Sequence, residues 1–135
     1  PMIRFRSGDI GHVNRETCEC GRTMTRIYIQ GRKDEMFIVS AVNVFPSDIE
    51  YIVRNDKGLS GEYLIRVYDE NYTTRVERVF GSDEPYDEIA KRVENELKTH
   101  TGVRPAKVLV FDTDKLGTSS EHKAKRFIDE RNQNA

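Results

Sequence analysis

The sequence predicts an α+β domain, a small mixed or antiparallel sheet with helices on one face, in the order ββ-α-β-β-α-β-α. Three observations lead there. Short β-branched runs alternate with turn residues along the chain, and two segments carry apolar residues at helical spacing. Hydrophobic residues make up 36% and charged ones 33%, the balance of a globular domain. At 135 residues there is enough chain for one buried core.

Taken in order, residues 2–6 alternate Met and Ile with Arg and Phe and read as an extended segment. A chain that begins in mid-strand at Pro1-Met2-Ile3-Arg4-Phe5 reads as a piece of something larger. Ser7-Gly8-Asp9 is turn chemistry. Residues 10–25 show no clear period and read as a loop or loose hairpin. Arg26 to Gln30 alternates as a strand, Gly31 to Glu35 is a turn, and Met36 to Val39 is a second strand. Ser40-Ala41-Val42 reads as a small-residue loop. Pro46 fits the first helical position, Asp48 and Glu50 suit the positive end of a helix, and Ile49, Ile52 and Val53 form its apolar stripe.

Glu62 to Tyr68 and Thr73 to Phe80 are strands joined through Asp69-Glu70-Asn71-Tyr72. The clearest helix follows, with Tyr86, Ile89, Ala90, Val93 and Leu97 on one face and Gly102 as its stop. Lys107 to Phe111 is a continuous apolar run, the pattern of a central strand buried on both faces. After a polar stretch, a last short helix is expected over about Lys123 to Arg131, anchored by Phe127 and Ile128.

The formal net charge of −1 supplies no long-range attraction to nucleic acid or to an anionic membrane. No apolar run approaches the roughly 18 residues of a membrane span, and the first residues show no signal-peptide pattern. Cys18 and Cys20 are too close in sequence for an unstrained mutual disulfide, which points to a reducing, cytoplasmic setting. They read either as two reduced loop cysteines or as half of a structural zinc site completed by His12 or by ligands from elsewhere. His100 suits a helix C-terminus. The patterns G-x-S-x-G, Walker A and H-E-x-x-H are absent.

Four pieces in one order carry a resemblance. They are Phe5-Arg6-Ser7-Gly8-Asp9, Gly31-Arg32-Lys33-Asp34-Glu35-Met36, Val42-Asn43-Val44-Phe45-Pro46-Ser47-Asp48-Ile49-Glu50, and Ser120-Glu121-His122-Lys123-Ala124-Lys125-Arg126. Over nearly its whole length the chain resembles the C-terminal lid domain of acyl-adenylate-forming ligases of the phenylacetate–coenzyme A ligase group. The resemblance implies an AMP-forming acid–thiol ligase, with ATP, Mg2+ and coenzyme A as substrates of the intact enzyme and a small aryl or acyl acid as the third. It implies that residues 1–31 are the end of an N-terminal body with a connecting hairpin. Residues 32–135 would then be the lid, whose partner is the N-terminal domain of the same enzyme. By itself this fragment is expected to be inactive.

The resemblance also assigns residues. Asp9 would hold the ribose hydroxyls, although a turn aspartate capping its own backbone is the plainer reading. Arg32 would sit by the ribose or phosphates, and Asp34 would be the hinge on which the lid turns, unless the stretch is an ordinary hairpin turn. Lys123 would serve adenylate formation, or lie on the solvated face of a terminal helix. Ser40, Ala41 and Val42 would line the coenzyme A channel. Alanine stands at 41 and histidine at 122 where the group favours glycine, and Thr118-Ser119 replaces its proline–arginine. Two other readings fit the same residues: an adenylyl-transferring relative resembling deazaflavin-coenzyme synthetases, and a non-catalytic module binding a small ligand or a partner.

Overall fold

The computed structural model describes residues 5–69, 71–117 and 126–131. It begins with β1 (Asp9–Asn14) and β2 (Arg26–Arg32), an antiparallel pair whose register shifts between Ile10 and Gly11. Of the loop or loose hairpin expected over residues 10–25, residues 10–14 belong to the first strand of this hairpin. Both strands leave apolar side chains in the open: Val13 of β1 is 55% exposed, and Ile27 and Ile29 of β2 are 68% and 61% exposed. The hairpin meets the rest of the chain at Gly31, where a Cβ would come within 2.8 Å of the Phe45 ring. Only a residue without a side chain allows that approach. Next to it the Ser47 hydroxyl donates to the Gln30 carbonyl at 2.5 Å.

A second hairpin, β3 (Phe37–Val39) and β4 (Val42–Val44), leads into α1 (Pro46–Asn55). Pro46 does open the helix, and the Asp48 carboxylate accepts the Phe45 N–H at 3.3 Å, tying down a free amide of the first turn. Ile49, Ile52 and Val53 are buried, as their spacing requires. The main sheet then forms from β5 (Leu59–Tyr68), β6 (Asn71–Arg78), β7 (Lys107–Phe111) and β8 (Phe127–Asp129), in the order β7-β6-β5-β8. The β5–β6 pair is antiparallel, while β7 and β8 flank it in parallel. Between β6 and β7 runs α2 (Tyr86–Thr101), ended by Gly102 in the left-handed region at φ 78°.

Both helices pack on the sheet face that carries Tyr63, Ile65 and Val67 of β5 and Tyr72 and Val76 of β6. The α2 stripe of Ile89, Val93 and Leu97 closes the core. Each fully buried Val, Leu or Ile contributes about 1.5–3 kcal/mol through apolar burial. Phe37 brings β3 into this core, edge-to-face with Tyr72 and stacked on Phe127 at 5.6 Å.

Three expectations are corrected. Lys107–Phe111 is an edge strand, not a central one. Val108 faces the core, while Phe111 on the other side is half covered, with the Arg75 guanidinium 5.8 Å from its ring centre. Tyr72 was expected in the β5–β6 connection and instead lies fully buried in β6. Burial also pushes its hydroxyl pKa up to about 12. The final helix is replaced at residues 127–129 by β8, because the free edge of β5 offers backbone partners. The Ile65 N–H donates to the Arg126 carbonyl at 2.9 Å and the Glu130 N–H to the Val67 carbonyl at 3.0 Å. Two adjacent apolar residues, Phe127 and Ile128, have no helical spacing to oppose that pairing. The earlier part of the expected helix, residues 123–125, lies outside the described residues.

Candidate functional site

Three of the sequence-derived residues meet at one end of the first hairpin. Asp9 opens β1 and Arg32 closes β2, and the two are direct cross-strand partners. Past Arg32 the chain turns sharply: Lys33 N–H donates to the Gly8 carbonyl at 2.8 Å and Met36 N–H to the Arg32 carbonyl at 3.1 Å. That turn folds Asp34 back onto the strand end. Its carboxylate accepts from Arg32 Nε at 2.9 Å and from Nη2 at 3.0 Å, a two-point pair.

The electrostatics follow from this geometry. The hydrogen bonds that Arg32 donates to Asp34 raise the Arg32 pKa, the Asp34 charge adds to them, and attraction to Asp9 and Glu35 contributes further. In return the Arg32 hydrogen bonds lower the Asp34 carboxyl. Both side chains are open to water, so the pair orients groups more than it stabilises the fold. Asp9 interacts with Arg32 through space, without a hydrogen bond to it. Side by side, a carboxylate can accept from a diol and a guanidinium can donate to a phosphate.

Ser40 and Ala41 sit on another hairpin, at the tip of β3–β4. Val39 pairs with Val42, so these two residues are the whole turn, and both take positive φ, 50° at Ser40 and 63° at Ala41. Both are exposed, whereas Val42 is half-buried and belongs to β4. The expected loop is therefore a tight turn.

Cys18 and Cys20 lie between β1 and β2, in a turn closed by Cys18 N–H to Arg22 carbonyl at 2.9 Å and Gly21 N–H to Cys18 carbonyl at 2.7 Å. Both are free thiols, and the Cys18 pKa is lowered, chiefly by the Cys20 backbone N–H. His12 stacks on Tyr28 across the hairpin at 5.0 Å. Among the described residues no third His, Cys, Asp or Glu joins the two thiols to make a metal site. Lys123 and His122, with Thr118 and Ser119, lie outside the described residues.

A family model described as "AMP-binding enzyme C-terminal domain" matches residues 41–131. The chain belongs to that family. The phenylacetate-coenzyme A ligase of Aromatoleum evansii is 31% identical across 97% of this chain and 31% of its own length. The chain spans about a third of the length of the curated relatives it matches. Among solved structures, a 2-hydroxyisobutyryl-CoA ligase in the postadenylation state, in complex with R3-HIB-AMP, superposes with a TM-score of 0.82 at 30% identity. That match covers 97% of this chain and 29% of the other. The same ligase in the thioesterification state, with 2-HIB-AMP and CoA, scores 0.64 at 29% identity, over 98% of this chain and 29% of its own.

In this member of the AMP-binding enzyme C-terminal domain family, the described residues on either side of 118–125, the stretch that includes Lys123, are held by contacts that no local sequence pattern signals. Before it, the Thr113 hydroxyl donates to the Arg78 carbonyl at 3.2 Å and Asp114 N–H to the buried Glu77 at 2.9 Å. Arg78 in turn donates to Asp112 at 2.7 Å and lies 4.4 Å from the centre of the Tyr86 ring. After it, Arg126 pairs with Glu62 at 2.8 Å and stands over the Tyr63 ring. Tyr63 donates to Glu50 at 3.2 Å, and burial followed by the Glu50 charge pushes its hydroxyl well above the usual range. Arg126 falls within the quoted motif, so its place was legible. Its partner Glu62 is 64 residues away and nothing local announced it.

Proposed function

We propose that the chain is the moving C-terminal lid of an AMP-forming acid–thiol ligase acting on an aryl acetate of the phenylacetate type, with residues 1–31 belonging to the body it moves against. The observation that carries this is the meeting of Asp9, Arg32 and Asp34 at one strand end of a chain from this family. The 31% identity to a phenylacetate-coenzyme A ligase supports the acid class. The better superposition on a postadenylation state than on a thioesterification state supports a lid captured in the first of two orientations.

The reaction has two steps. A carboxylate oxygen attacks the α-phosphorus of ATP, supplied as its magnesium complex, and the bond to pyrophosphate breaks, leaving an acyl-adenylate. The sulfur of coenzyme A then attacks the acyl carbon, its thiol proton goes to solvent, and the acyl–oxygen bond to AMP breaks. Asp9 accepts from the ribose diol, and Arg32 donates to the phosphate side of the nucleotide. The Lys123 ammonium offsets charge as the carboxylate meets the α-phosphate, which is positional and electrostatic catalysis. Turning the lid at Asp34 withdraws Lys123 and brings the Ser40–Ala41 turn, continued by Val42, to the path of the thiol. ATP, coenzyme A and a small acid are the partners of such an enzyme in the cytoplasm. The Cys18–Cys20 turn has no assigned step.

In the full-length enzyme, Lys123→Ala is expected to slow ATP–pyrophosphate exchange by about 10²–10³-fold, the scale of losing one charge-stabilising group. Thioester formation from preformed phenylacetyl-adenylate should stay within about threefold, because that step does not use Lys123. Equal losses in both half-reactions would overturn the role. Failure to consume coenzyme A with any aryl or short acyl acid would overturn the ligase reading.

A further inference from the structure

Arg32 has two edges with which to grip an oxyanion: the side edge, Nε with Nη2, and the end edge, Nη1 with Nη2. The Asp34 carboxylate occupies the side edge, with both hydrogen bonds near 3 Å. Asp34 lies inside the turn that Met36 N–H closes on the Arg32 carbonyl, so its carboxylate reaches Arg32 only while that turn keeps its shape. Lys33 N–H on the Gly8 carbonyl fixes the turn to the start of β1, where Asp9 stands.

Building on the nucleotide-binding reading of Arg32, we infer that Asp34 is an internal competitor of the nucleotide phosphate for the side edge of that guanidinium. Binding of the phosphate there thereby frees the turn in which Asp34 sits. Asp34 acts here as a positioning residue, through Arg32. One side edge cannot serve two oxyanions at full strength, so whatever phosphate gains there the turn loses. The coupling is reciprocal: rotation about the Asp34 backbone pulls its carboxylate away and leaves Arg32 free for the nucleotide. The pair is exposed to solvent, which keeps the competition weak enough to reverse. An acidic residue at this place would thus link the nucleotide's presence to the angle of the lid, beyond offering a flexible joint.

The test is titration of the full-length enzyme with AMP, followed by NMR of the arginine Nε–Hε signals. Asp34→Asn should tighten AMP binding by about two- to fivefold, the range that corresponds to an exposed ion pair. Its Arg32 Nε–Hε signal should also lose the shift of a carboxylate-bonded guanidinium before AMP is added. Glu35→Gln removes the same charge next door without touching the pair and should change affinity less than twofold. In an Arg32→Lys background, Asp34→Asn should have no further effect. Equal tightening by Glu35→Gln would reduce the effect to bulk charge and overturn the proposal. If Arg32→Lys weakens AMP binding but Asp34→Asn leaves it unchanged, the competition fails and the nucleotide reading of Arg32 stands. If Arg32→Lys leaves AMP binding unchanged, both fail.

Discussion

At the residue scale, Ala41 is the position where sequence and backbone conflict. Its φ of 63°, beside Ser40 at 50°, lies in the region that costs an L-residue about 1–2 kcal/mol. The conflict persists because Val39 and Val42 are paired on either side and Phe37 and Val44 are buried, leaving a two-residue turn no other conformation. Replacing Ala41 by glycine removes the strain but adds glycine's unfolded-state freedom, about 0.5–1 kcal/mol. Ala41→Gly is therefore expected to be neutral to stabilising by about 1 kcal/mol, and Ala41→Val to destabilise by about 1–3 kcal/mol. Urea unfolding midpoints with unchanged slopes check both. Loss of stability in Ala41→Gly would mean that the turn does not hold alanine under strain.

At the element scale, one polar cluster joins the end of α1 to α2. Asp56, its side chain only 4% exposed, accepts from Arg92 Nε at 2.8 Å and Nη2 at 3.1 Å, and from Gly58 N–H at 2.7 Å. Glu84 takes the other side of the same guanidinium, raising its pKa together with Asp56. Burial alone would raise the Asp56 carboxyl, but the hydrogen bonds from Arg92 and Gly58 outweigh it and the net shift is downward. A carboxyl whose folded-state pKa lies below its unfolded value, about 3.9, stabilises the fold above that value. The contribution disappears as the pH falls through the folded-state pKa. Asp56→Asn should accordingly cost about 1–3 kcal/mol at pH 7, with the difference from the parent chain shrinking below about pH 4. Thermal unfolding across that range measures it, and a difference constant with pH would contradict an ionised Asp56 as the cause.

On the scale of the whole molecule, the two hairpins and the main sheet divide the labour. The β3–β4 hairpin shares the core of the main sheet through Phe37, while β1–β2 leaves Ile27 and Ile29 open and touches the rest mainly at Gly31 and Ser47. The Asp9–Arg32–Asp34 cluster thus lies at a junction where few contacts would have to change for one side to move against the other. It also presents only one wall of the proposed nucleotide site. With ATP and phenylacetate, this chain alone is expected to release no pyrophosphate above the uncatalysed rate. Adenylate formation by the isolated chain would contradict the proposed division between body and lid.

Local signals were enough for several parts of this molecule. Proline at the start of α1, the stripe of Ile89, Val93 and Leu97, and Gly102 as a stop each act within one or two turns, so the sequence by itself determined both helices. The β1–β2 pairing set Asp9 opposite Arg32, and the turn after β2 folded Asp34 back onto the Arg32 guanidinium. Strand order was decided only in three dimensions. The apolar run 107–111 resembles a central strand, yet it lies at an edge because β8 takes the opposite flank of β5 and the Arg75 chain shelters Phe111. Phe127 and Ile128 became a strand because the unpaired backbone of β5 was there to be satisfied. Likewise Arg126 found Glu62 and Arg92 found Asp56 across long stretches of chain. Such pairings are set by what else has already folded nearby, which no window of sequence contains.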